Sequence, residues 1–186
     1  DIPILGVVEP ACAAAAQVTR NKKVGLIATA ASVRSGAYER CLSALDGDIQ
    51  VYAKACPLFV PLVENGRFRP GDTVIETVAA EYLAPLRATG IDTLILGCTH
   101  YPLLSEIIAN IMGSGVTLVD SGAASDVYKR QALRRELDGR GLLSQRAHGE
   151  LTLYASDRPE DFGVLAGQFL RRPLEDAVQH VDIERY

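Results

Sequence analysis

Short apolar runs alternate along this chain with longer stretches of helical periodicity. Val24–Thr29, Ile49–Ala55, Leu94–Leu96, Val116–Val119 and Leu151–Ala155 read as strands, Ile49–Ala55 with a period of two. Between them Pro10–Arg20 is an alanine-rich helix, with proline near its start and Asn21 suited to close its end. Gly36–Leu45 is amphipathic. Thr73–Ala88 opens with Thr73-x-x-Glu76, a capping-box pattern, and carries an apolar stripe of Ile75, Val78, Ala79, Tyr82, Leu83 and Leu86. Pro85 is expected to kink that helix or end it early. A further helix is expected from Pro102, with Leu103, Leu104, Ile107, Ile108 and Ile111 on one stripe. Strand–helix–strand repetition at this spacing predicts the α/β class with a doubly wound parallel sheet.

The repetition weakens past Asp120-Ser121-Gly122. Residues 1–118 carry four β–α units and are expected to form a complete domain, with residues 1–9 as the entry from another. Residues 119–186 hold Leu151–Ala155 and an edge strand near Val178–Ile183, too little sheet to stand alone. They are expected to belong to a second α/β domain whose other strands precede this chain. Asp1 and the single methionine, Met112, fit the same expectation of a fragment or trimmed product.

Composition narrows the partners. A net charge of −4 without a basic stretch argues against nucleic acid or an anionic membrane as the binding surface. No run approaches the roughly 18 apolar residues of a membrane span, nor is a secretory layout visible, so a cytoplasmic location is expected. The four cysteines, at 12, 41, 56 and 98, include no C-x-x-C pair, which points to reduced thiols rather than a disulfide or zinc framework. His148 and His180 lack partners at metal-site spacing, and no metal is expected.

Candidate chemistry concentrates in Gly97-Cys98-Thr99-His100-Tyr101-Pro102. It follows a buried strand and precedes a helical pattern, which places Cys98 in the crevice where open α/β sheets hold ligands. A helix N-terminus there favours the thiolate, though its roughly 0.3–2 kcal/mol falls short of the ~2.7 kcal/mol that a two-unit shift needs. His100 is the adjacent helper. The turn Thr29-Ala30-Ala31-Ser32 also follows a strand and opens a helix, and its hydroxyls suit a carboxylate. Glu64 ends the loop Cys56–Asn65, where glutamates are most often solvated. Cys12 and Cys41 read as small core residues.

These pieces together resemble the bacterial glutamate racemases of the aspartate/glutamate racemase family. The resemblance is carried by Gly6-Val7-Val8-Glu9-Pro10, Ser35-Gly36-Ala37-Tyr38, Ala55 to Glu64, Leu96 to Leu103, Val119 to Gly122 and Arg172-Pro173-Leu174-Glu175, and runs nearly end to end. It implies a Rossmann-like fold and cofactor-independent interconversion of L- and D-glutamate for peptidoglycan, with a thiol on each face of the substrate. It implies Cys98 as one of those thiols, His100 and Glu64 as catalytic partners, and Thr99, His100, Thr29 and Ser32 as substrate-binding residues. The assembly it allows is a homodimer. The other thiol, in a Cys-Asn-Thr turn, lies earlier in the family than this chain begins, so the chain alone is expected not to racemise. The alternatives are a non-catalytic carboxylate-binding domain, a racemase of a related substrate such as aspartate or a hydantoin, and a cysteine hydrolase. The hydrolase is disfavoured because residues at i and i+2 rarely reach nucleophile–base geometry.

Overall fold

Four of the apolar runs become one parallel sheet. The computed structural model describes residues 6–120, 133–144, 151–170, 174 and 178–183. Strand β1 is Lys23–Ala28, β2 Gln50–Ala55, β3 Thr93–Gly97 and β4 Thr117–Asp120. Their order is β2-β1-β3-β4, every neighbouring pair parallel. β3 is buried throughout and β1 almost so, as continuous apolar runs demand, whereas β2 is partly exposed at the edge.

The chain steps outward from β1 to β2, then returns past β1 to β3 and continues to β4. Right-handed crossovers place the first connection on one face and the later ones on the other. Helices α1 (Val8–Val18) and α3 (Ala37–Leu45), the second reached through the short α2 (Ala30–Ser35), cover Val24, Leu26, Ala28, Ile95 and Val119. Helices α4 (Phe59–Glu64), α5 (Thr73–Ala88) and α6 (Ser105–Met112) cover Ile27, Leu94 and Leu96. Alternate residues of one strand thus feed two separate cores, and the doubly wound sheet read from the sequence is the one found.

Three local expectations need correction. Asn21 does not close α1: Thr19 leaves the helix extended, and the Asn21 N–H donates to Asp92 Oδ2 at 2.7 Å. That buried carboxylate also collects the Thr19 hydroxyl and the Arg20 N–H, each at 2.7 Å, which outweighs a helix cap. The cap of α5 is Asp72, whose carboxylate accepts from Val74 N–H at 3.0 Å; Glu76 reaches back to Gly71 N–H at 2.8 Å. The reciprocal motif is therefore set one residue earlier than Thr73. Pro85 does not end α5, which runs to Ala88. Pro85 and Glu81 are both exposed, so the carbonyl that proline leaves unpaired is open to solvation.

The chain divides into two compact units, Asp1–Leu143 and Ser144–Tyr186. The first also contains a helix over residues 133–139, α7. In the second, β5 (Leu153–Ala155) and β6 (Val178–His180) pair in parallel, with α8 (Pro159–Leu170) as the intervening helix. The expectations at residues 1–5, 121–131, 148, 171–173 and 175 lie outside the described residues.

Candidate active site

Parallel strands end on the same side, so the turns that leave them share one edge. Ala28 of β1 stands opposite both Ala55 of β2 and Gly97 of β3. The turns beginning at Thr29, Cys56 and Cys98 therefore emerge side by side. β1 and β3 are also the pair at which strand order reverses, where an open sheet leaves a crevice for ligands. Gly97 makes the close approach there. A Cβ at this position would lie 2.9 Å from Leu26 Cδ1 and 3.1 Å from both Ala28 Cβ and the Ile27 carbonyl oxygen.

The turn after Gly97 brings three side chains into a row. Cys98 is half-buried, and its Sγ stands 3.9 Å from His100 Nδ1. His100 Nε2 in turn lies 3.1 Å from Glu64 Oε1. Glu64 is half-exposed, as expected of a loop glutamate, yet it is paired. Thr99 Oγ1 is 3.5 Å from the same Nδ1. The pairing of Cys98 with His100 as its adjacent helper is the one expected from the sequence. The backbone tightens at once into a 3₁₀ turn, Tyr101–Leu104, and folds the ring back over the thiol.

That 3₁₀ turn also changes the electrostatics expected at Cys98. The α-helix begins only at Ser105, so the thiol faces the N–H groups of one turn rather than a helix terminus. Burial pushes the thiol up; the N–H groups of His100, Thr99 and Tyr101 pull it down; the Glu64 carboxylate pushes it up again. Burial wins, and the surroundings of Cys98 favour the neutral thiol.

The neighbouring turn is a hydroxyl pair. Thr29 caps α2, its Oγ1 accepting from Ser32 N–H at 3.2 Å and lying 3.0 Å from Ser32 Oγ. Both residues are half-buried. The other cysteines are placed differently. Cys12 and Cys56 are completely buried, and burial pushes Cys56 up to about 12. Cys41 is half-buried on α3 and packs against the core shared with Cys12.

One residue escaped the sequence reading. Tyr101 is fully buried, and its hydroxyl donates to the Cys56 carbonyl at 3.0 Å. Its place between a polar turn and an apolar stripe was the available signal. Among the described residues no cluster of histidine, cysteine and carboxylate could hold a metal, and no helix is long and apolar enough to cross a membrane.

The sequence and the fold are both similar to those of known proteins. The family model described as Asp/Glu/Hydantoin racemase matches residues 1–125. The glutamate racemase of Desulforudis audaxviator is 42% identical over 182 residues, covering 96% of this chain and 66% of that protein. That of Lactiplantibacillus plantarum is 39% identical, covering 98% of this chain and 65% of that protein. Among solved structures, the glutamate racemase isoform RacE1 of Bacillus anthracis superposes with a TM-score of 0.86 at 33% identity, over 98% of this chain and 66% of that one. The Francisella tularensis glutamate racemase in complex with D-glutamate gives 0.84 at 31% identity, over 100% of this chain and 66% of that one. The chain thus spans just under two thirds of the length of these relatives. It belongs to the Asp/Glu/Hydantoin racemase family.

Proposed function

We propose that this chain supplies one face of a cofactor-independent glutamate racemase, an isomerase that makes D-glutamate for peptidoglycan, with Cys98 as the acid–base group on that face. The observation that carries this reading is the row Cys98–His100–Glu64 at the switch point of the sheet. The names of the relatives, and D-glutamate in the Francisella structure, favour glutamate as the substrate.

The chemistry follows from the geometry. An Nε2–H donated to Glu64 turns the Nδ1 lone pair toward the Cys98 S–H. Transfer of that proton gives a thiolate beside an imidazolium, with Glu64 fixing the orientation of the ring. The thiolate then takes the α-proton, and inversion requires a proton from the opposite face. Thr29, Ser32 and Thr99 hold the substrate through their hydroxyls. Running the reaction backwards exchanges the roles of the two faces.

The opposite donor is not one of this chain's other cysteines, since Cys12 and Cys56 are sealed in the cores and Cys41 sits on α3. We therefore expect the 186-residue chain by itself not to racemise. Residues beyond β4 are read as contributing to a second α/β domain, and the whole enzyme as a cytoplasmic protein, with a homodimer as its proposed assembly.

Alkylation of Cys98 followed by mass spectrometry tests the site. Both enantiomers of glutamate should slow the modification, and Thr29→Ala with Ser32→Ala should remove that protection. Equal rates with and without glutamate would rule out substrate binding beside the thiol.

A further inference from the structure

Glu64 reaches His100 from a different strand connection, and both side chains are partly open to water. A 3.1 Å contact between such groups needs a rigid base. A shared carbonyl joins the segments that carry them. The Cys56 carbonyl, where β2 ends, accepts from Phe59 N–H at 3.2 Å, which starts α4, and from the Tyr101 hydroxyl at 3.0 Å, which starts the turn after Cys98. One oxygen thus ties together the two segments that carry Glu64 and His100. Phe59, fully buried, sits edge-on to Tyr101 with ring centroids 5.2 Å apart at 88°, and edge-on to Tyr82 of α5 at 5.3 Å and 72°. Glu64 follows Phe59 by little more than one turn of α4.

We propose that the Cys56 carbonyl, Phe59 and Tyr101 form a positioning junction that sets Glu64 on His100 and so tunes the reactivity of Cys98. Phe59 and Tyr101 are positioning residues in this scheme and touch no substrate. The inference deepens the racemase reading and rests on it, because it takes Glu64 and His100 as the partners of Cys98. The polar groups acting on Cys98 are Glu64 and the N–H groups of Thr99, His100 and Tyr101; the His100 ring and the Tyr38 and Tyr101 hydroxyls stand nearby.

The test is a double-mutant cycle on the intact chain, read as the pH profile of Cys98 alkylation by iodoacetamide. Glu64→Ala removes a negative charge and should lower the midpoint, giving roughly two- to threefold faster alkylation below it. Phe59→Leu keeps the pocket apolar but loses the ring edges, and should shift the profile the same way by a smaller amount. On the Glu64→Ala background Phe59→Leu should add nothing, because its effect passes through Glu64. General loosening around Cys98 would instead shift the profile equally in both backgrounds, and that result, or no shift in either, overturns the junction. Tyr101→Phe goes through the same cycle if Phe59→Leu fails to fold. A Glu64→Ala profile identical to the wild type would overturn the Glu64–His100 partnership itself, an outcome distinct from failure of the junction alone.

Discussion

Cys98 shows how little a residue's identity fixes its chemistry. Its burial outweighs three favourable N–H groups, so its alkylation midpoint should lie above that of an unhindered thiol in the same buffer; a midpoint below that reference would contradict the account. Gly97 makes the site possible by letting β3 approach β1. Gly97→Ala should cost about 1–3 kcal/mol in urea unfolding, since both strands are fixed by their ladders and the added methyl meets the Ile27 carbonyl as well as side chains. Asp92 is the opposite kind of polar residue, a structural one. Burial alone would raise its carboxyl, but hydrogen bonds from Thr19, Asn21, Arg20 and Thr93 together hold it below the usual carboxylate range. A carboxyl lowered on folding contributes stability that is complete above its unfolded pKa, about 4, and is lost as pH falls through the folded value. Asp92→Asn should therefore cost about 1–3 kcal/mol near neutrality and flatten the loss of stability on acidification. Equal acid profiles for the two proteins would remove Asp92 from that role.

At the level of elements, the sequence was most legible where periodicity and burial agree. The four sheet strands fall within a residue or so of their apolar runs, most plainly β1 and β3, because a doubly covered strand must be apolar along its length. Helix ends were harder to read, since partners distant in sequence decide them. Asn21 was drawn away by Asp92, 71 residues on, and the α5 cap was taken by Asp72 although Thr73 fits the same pattern. Asp72→Ala should cost about 1 kcal/mol, and Thr73→Ala clearly less, in parallel thermal melts. The site was legible as a set of residues, but its row was not. Nothing in the spacing of Cys98 and His100 announces the 3₁₀ turn that brings them to 3.9 Å, and Glu64 looks like any solvated glutamate until α4 is packed. Tyr101 carries a polar group into the core, and its partner is a carbonyl 45 residues away that no sequence pattern marks.

At the scale of the whole molecule, the sheet order gives the function its place. Strand order reverses between β1 and β3, and the hydroxyl turn and the thiol turn leave those adjacent strands on the same edge of the sheet. A crevice lined from one side can hold a substrate, but inversion at carbon needs a second acid–base group facing the first. The measurement that tests this most directly is incubation of the purified chain with L-glutamate in D₂O, followed by chiral analysis and by NMR of the α-proton. The account predicts no D-glutamate at an enzyme-like rate, and at most slow one-sided α-exchange that Cys98→Ser abolishes. Rapid formation of D-glutamate by this chain, or exchange that survives Cys98→Ser, would contradict it.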